Sequence, residues 1–187
     1  LLADEDDALE NDVLRDNNAA ATFYMLGQEA QAYPDTVRRV AAEGHEIGNH
    51  TWNHPHLTTV PPATVTDQIT RTNAILRELS GQAVATFRPP GGMINKEVLA
   101  LAGMPAIMWS VDTRDWEKPG DNQLRSYAID TPEAGSILLM HDIQEVSSRV
   151  FPDVIAGLND RGFAMVTIDQ LFDGAVPSGV VRHGPSE

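Results

Sequence analysis

Short apolar runs rich in β-formers alternate with helical patterns along this chain, and that alternation constrains the fold more than any other feature. The apolar runs cover residues 20–26, 46–48, 83–87, 106–111, 136–140 and 164–168. Between them, residues 36–43 place Val37, Val40 and Ala41 on one helical face. Residues 62–80 repeat the pattern at greater length, with Val65, Ile69, Ile75, Leu76 and Leu79 spaced for burial and a stop at Gly81. Residues 150–160 form a third such stretch, closed by Arg161-Gly162. Strands that alternate with helices are joined by crossovers, so the strands run parallel and the architecture is α/β. The 187 residues are enough for a single well-cored domain, with the tail from about Val176 expected to be loosely ordered.

Chemistry-bearing residues follow directly on these runs. His50 and His54 come after Ile47, Arg88 after Phe87, Asp112 and Asp115 after Val111, and His141 after Met140. In parallel α/β barrels, that end of the strands is where active sites are built. Two imidazoles spaced as His50 and His54 share one face if the backbone turns helically there. They can then hold one Zn²⁺ at about 2.0–2.1 Å each. A carboxylate and a water would complete the set, and an open position of that kind is what a hydrolytic metal centre keeps. Trp52, beside the two histidines, either stacks on a sugar or packs. Trp109 reads as core, His45 as packed behind the site, and His56 and His183 as solvent-facing.

Bulk properties narrow the partners. A formal net charge of −14 argues against nucleic acid, whose phosphates need a basic patch. It fits a neutral substrate such as a glycan. No apolar run approaches the ~20 residues that span a bilayer, so no membrane span is expected. The absence of cysteine excludes disulfides and thiolate ligands. No signal peptide is visible, and a mature chain would have lost one. Nothing in the sequence speaks to oligomeric state.

Taken together, HTWNH, DTRDW and LMHD resemble the second, fourth and fifth motifs of the polysaccharide deacetylase family, carbohydrate esterase family 4 or NodB homology domain. Those motifs are H-[ST]-x-x-H, D-x-x-D-W and L-x-H-D. The flanking GHEIGNH and ATFYMLG strings are similar to the family as well, and the resemblance runs from about Ala21 to Phe172. Two motifs depart. The third, R-x-P-[YF], reads RPPG, so Gly91 stands where an aromatic residue is usual, and a wider cleft is expected. The first, TFDDG, is absent. Asp6-Asp7 resembles its acidic pair but stands closer to Ala21 than the family spacing allows, and residues 4–14 also read as the start of an acidic-capped helix. The resemblance implies a distorted (β/α)7 barrel, here with its first strand missing or incomplete; a missing segment is the expectation.

The resemblance also implies a mechanism. Zn²⁺ or a similar divalent ion would be held by His50, His54 and Asp7, with Asp6 as general base. The backbone N–H of Gly91 would face the oxyanion, and His141 would protonate the leaving amine. Arg88 would pair with the catalytic aspartate, or else be a surface residue ahead of a rigid turn. Asp115 would orient His141 as a proton donor, and Trp116 and Leu139 would form the pocket for the acetyl methyl. Asp112 reads as structural. The expected activity is removal of acetyl groups from N-acetylglucosamine residues of peptidoglycan or chitin, by a secreted or envelope-associated enzyme. An acetylxylan esterase and a non-catalytic glycan-binding relative are the alternatives.

Overall fold

The computed structural model describes residues 12–185. Residues 12–16 are helical, in keeping with the acidic-capped helix expected there, whose earlier part lies outside the described residues. The chain then enters β1 (Thr22–Met25), α1 (Gly27–Ala32), α2 (Pro34–Ala42) and β2 (Glu46–Asn49). Strands β1 and β2 pair in parallel, Thr22 opposite Glu46 and Met25 opposite Asn49. Helix α3 (Pro62–Ser80) has the bounds read from the sequence and stops at Gly81. After α4 (Lys96–Ala102) come β3 (Ala106–Ile107), β4 (Val111–Asp112), α5 (Asp121–Asp130), β5 (Leu138–Leu139), α6 (Glu145–Asp160), α7 (Ile168–Leu171) and β6 (Val180–Val181).

All the strand pairs are parallel. Single bridges from Phe87 to Asn49 and to Ala106 join the β1–β2 pair to β3, and β3 pairs with β6. The pair β4–β5 lies alongside, in register Val111 with Leu138 and Asp112 with Leu139. Crossovers between parallel neighbours require helices, and their apolar faces make the core. One cluster joins Val37, Val40, Ile47, Leu76 and Val84; a second joins Leu57, Val65, Ile69, Phe87 and Ala106; a third seats α5 on α6 through Leu124, Ala128, Val150 and Val154.

Three expectations need correction. Residues 164–168 form no strand: Thr167 caps α7 instead, its hydroxyl accepting from Gln170 N while the Gln170 side chain accepts from Thr167 N. That reciprocal cap satisfies backbone groups that a strand would have offered to a neighbour. The tail expected to be loose from Val176 is paired where it is described. Val180 and Val181 make β6 on β3, with Val181 buried against Tyr24, Ile107, Ile137 and Ile168. The run 106–111 is broken into β3 and β4, and 83–87 contributes only the Phe87 bridges.

One close approach fixes the front of β1 against β2. A Cβ on Gly48 would lie 2.3 Å from Tyr24 Cε1, so the tyrosine ring lies flat over that glycine. Its hydroxyl hydrogen-bonds Thr86 Oγ1 at 3.0 Å in the interior. Gly48→Ala is expected to destabilise the fold by about 1–3 kcal/mol, read as a lower urea midpoint at unchanged m. An unchanged midpoint would mean the ring is free to move aside.

Candidate active site

His50 begins where β2 ends. Its N–H donates to Met25 O at 3.0 Å, while Gly27 N and Gln28 N donate to Thr51 O and Trp52 O, so the segment after β2 is sewn to the segment after β1. The link between His50 and His54 is not helical. Thr51 and His54 both take positive φ, 73° and 66°. This loop is held by buried amides. Asn49, 0% exposed, donates through Nδ2 to Ile69 O (2.9 Å) and Asn73 Oδ1 (2.8 Å), and its Oδ1 accepts from Thr51 N at 2.7 Å. Gln68 Oε1 accepts from Trp52 N and Asn53 N, and Gln68 Nε2 donates to Asn53 Oδ1. The expected convergence of the two imidazoles holds by this route rather than by helical spacing: ring centroids stand 4.9 Å apart at 71°.

The tautomer of His50 follows from its partner. Nδ1 lies 2.7 Å from the Arg88 carbonyl, which can only accept, so Nδ1 carries the proton and the Nε2 lone pair is left for a metal. Burial pushes the His50 pKa well below the ordinary imidazole value, against the opposing pull of that hydrogen bond, and keeps the ring neutral as a ligand must be. His54 is lowered too, first by partial burial and then by the neighbouring His56 and His141 charges. The donor set, two neutral imidazoles with one oriented by a carbonyl, fits a zinc-like ion. Among the described residues no third His, Asp or Glu joins them; Asp6 and Asp7 lie outside the described residues.

Asp115 and His141 form a second centre, a built dyad. Asp115 is 0% exposed and accepts from His141 Nδ1 (2.7 Å), His141 N (2.6 Å), Ser147 Oγ (2.6 Å) and Trp116 N (3.0 Å). Burial alone would raise its pKa, but the hydrogen bonds from His141 and Ser147 and the charge of His141 hold it below the ordinary carboxylate value. Because a carboxylate accepts from Nδ1–H, His141 Nε2 is the atom that can take and give a proton.

Arg88 is half-buried rather than a surface residue. It donates from Nε to Ile107 O (3.1 Å) and from Nη2 to Met108 O (3.4 Å), and its guanidinium stands 4.3 Å from the Tyr24 ring centroid. Among the described residues it has no carboxylate partner. Gly91 follows the Pro-Pro turn at φ 59°, a left-handed conformation that explains glycine there, and its N–H has no acceptor among the described residues. Leu139 is buried, whereas Trp116 is 53% exposed at the rim, with Arg114 5.7 Å from its ring. Asp112 Oδ1 accepts from Arg114 N, the structural role expected of it. Trp52 packs: Arg71 lies 3.5 Å over one part of it, and Gly27 has room for no side chain on account of its ring.

Sequence reasoning missed Asn49, Gln68, Asn73 and Ser147, polar residues that position the ligand loop and the dyad. Asn49 lies inside the GHEIGNH string and could have been singled out; Gln68 and Asn73 look like ordinary residues of a helix. His45 was read as packed behind the site, and it is: its Nδ1 accepts from Ala21 N at 3.4 Å, and Nε2 is buried without a partner among the described residues. Burial lowers its pKa from 6.5, with Glu43 pulling the other way. The unfolded chain therefore binds a proton first as pH falls, so stability is full above about 6.5 and declines below it. In chemical denaturation at stepped pH, His45→Asn should flatten part of that decline. An identical pH slope in the variant would refute the assignment.

The parallel α/β fold thus carries a histidine pair, a buried Asp–His dyad and a backbone N–H with no acceptor among the described residues. A sequence profile described as polysaccharide deacetylase matches residues 10–106. The chain is 34% identical over 178 residues to the chitooligosaccharide deacetylase of Bradyrhizobium sp., covering 86% of this chain and 81% of that protein. It therefore belongs to the polysaccharide deacetylase family. It is 36% identical over 161 residues to the peptidoglycan-N-acetylglucosamine deacetylase PgdA of Listeria monocytogenes, covering 86% of this chain but 34% of that protein, so it spans about a third of that relative's length. Among solved structures, the peptidoglycan deacetylase PdaC of Bacillus subtilis superposes with a TM-score of 0.87 at 32% identity, covering 91% of this chain and 84% of that one. A family 4 pseudoenzyme of Bacillus anthracis superposes at 0.84 with 26% identity, covering 96% and 63%.

Proposed function

We propose that this chain is a metal-dependent de-N-acetylase of β-1,4-linked N-acetylglucosamine in peptidoglycan or chitin-type oligosaccharides. The observation that carries the reading is a pair of neighbouring centres: a neutral imidazole pair, and a histidine whose Nδ1 is locked by a buried carboxylate. His54 lies near enough to His141 to feel its charge.

His50 and His54 would hold a Zn²⁺-like ion with Asp7 as the carboxylate, and Asp6 would be the general base. When bound, the ion would polarise the acetyl carbonyl and lower the pKa of its water. The Gly91 N–H would face the oxyanion, as a donor with no competing acceptor among the described residues. His141 Nε2 gives its proton to the departing amine nitrogen, which leaves poorly unless protonated, and Asp115 balances the charge of the imidazolium. Arg88 supplies a fixed positive charge beside the ligand loop, through the same residue whose carbonyl orients His50. Leu139 and the inner face of Trp116 would cover the acetyl methyl. For the fold, the parallel strands fit staves of a distorted (β/α)7 barrel. Substrates of this kind place the enzyme at the cell envelope or outside it.

The test is acetate release from N-acetylglucosamine oligomers, run beside acetylated xylan. Release from the oligomers, lost in His141→Ala, supports the amidase. Release from xylan alone, nearly unaffected by His141→Ala, would replace it with the esterase, because an ester's leaving group needs the proton less. A second reading, a non-catalytic glycan-binding relative, is favoured by the likeness to a pseudoenzyme. It would show as glycan binding without acetate under any metal loading.

A further inference from the structure

We infer that His56 is a substrate-positioning residue of this site, its imidazole edge standing beside the position from which the usual aromatic residue of the third motif would extend. The inference rests on the deacetylase reading and adds a specificity element to it. Two loops meet at this point. The loop after β2 carries His54, Pro55 and His56; the loop after Phe87 carries Arg88, Pro89, Pro90 and Gly91. A Cβ built on Gly91 would lie 3.4 Å from His56 Nε2 and 3.9 Å from its Cδ2, so the glycine faces the edge of the imidazole. Any larger residue at 91 would be held at φ 59° and would begin at van der Waals contact with the edge of that ring. The glycine and the histidine are thus neighbours: the short residue leaves the imidazole edge uncovered beside its own N–H.

His56 is placed to hold this position. Its carbonyl accepts from Thr59 N (3.0 Å) and Thr59 Oγ1 (2.8 Å), and Leu57 beside it is buried in the core under α3. The backbone is therefore fixed while the side chain is exposed, and its ring nitrogens have no hydrogen-bond partner among the described residues. A polar edge pinned beside the N–H that would meet the oxyanion is suited to a hydroxyl or acetamido group of the bound amino sugar. The ring would orient the sugar without touching the reacting carbonyl.

The experiment compares wild type, His56→Ala, His56→Gln and Gly91→Tyr in steady-state deacetylation of N-acetylglucosamine oligomers. Oligomer binding to the metal-free protein is followed in parallel by calorimetry. His56→Ala should raise KM and weaken metal-free binding by about five- to tenfold, the size of one lost ligand hydrogen bond, with kcat within about twofold. His56→Gln, which keeps a donor and an acceptor, should recover part of the loss. Gly91→Tyr should weaken binding in wild type and do so less when combined with His56→Ala. Unchanged KM and binding in His56→Ala, in a wild type that deacetylates, would overturn this inference and leave the deacetylase reading intact. A wild type that neither deacetylates nor binds the oligomers would overturn both. Loss of kcat without loss of binding would place His56 in the metal environment and also overturn the positioning role.

Discussion

Asp115→Asn should lower kcat for oligosaccharide deacetylation by about a hundred- to ten-thousandfold, the range a positioned proton donor contributes. The carboxylate accepts four hydrogen bonds, from His141 Nδ1, His141 N, Ser147 Oγ and Trp116 N. An amide presents one acceptor oxygen and a donor nitrogen to the same four donors, so at least one contact turns repulsive and the imidazole loses its fixed tautomer. The carboxylate that would stabilise the imidazolium is lost as well. The effect should largely disappear in a His141→Ala background, because the two residues act as a unit and their losses do not add. Full additivity would show that Asp115 serves stability alone. Ser147→Ala, which removes one of the four donors, should give a smaller loss in the same direction.

Asn49→Leu should destabilise the fold by about 2–4 kcal/mol and weaken metal uptake in the same protein. The side chain is wholly buried and satisfies Ile69 O, Asn73 Oδ1 and Thr51 N at once. Leucine is close in volume and takes their partner from Asn73 Oδ1 and Thr51 N, each a desolvation penalty of about 1–3 kcal/mol before relaxation, while Ile69 O keeps its place in the helix. Thr51 is also the residue whose positive φ turns the chain between the two histidines, and its hydroxyl accepts from His54 N at 3.1 Å. Releasing it should let His54 swing away from His50. Loss of stability with unchanged metal affinity would show that the loop keeps its shape without this anchor. A midpoint within error of wild type would contradict the burial argument itself.

Much of the fold was legible because its elements carry strong periodic signals. Helix α3 was bounded to the residue by its apolar spacing and its terminal glycine, and β2, read as 46–48, to within one residue of its end at Asn49. The failures have physical causes. Residues 164–168 look like a strand by composition, yet Thr167 and Gln170 can satisfy each other's backbone, and that local cap won. Val180 and Val181 sit among Gly, Pro and charged residues, so their pairing with β3 is a tertiary fact with little local signature. At the site, residue type announced His50, His54, Asp115 and His141, since few other roles suit them at those spacings. The convergence of His50 and His54 was foreseen for the wrong reason: helical spacing was invoked, whereas a loop pinned by Asn49 and Gln68 brings the rings together. Distant partners of this kind, one on β2 and one on α3, leave no trace in local pattern.

The central claim is that His50 and His54 are the imidazole half of a metal centre. Elemental analysis of the purified chain after equilibration with Zn²⁺ and removal of excess tests it most directly, with His50→Ala as the control. The account predicts about one zinc per wild-type chain and almost none in the variant. Wild type that retains no zinc, or a variant that retains as much as wild type, would contradict it.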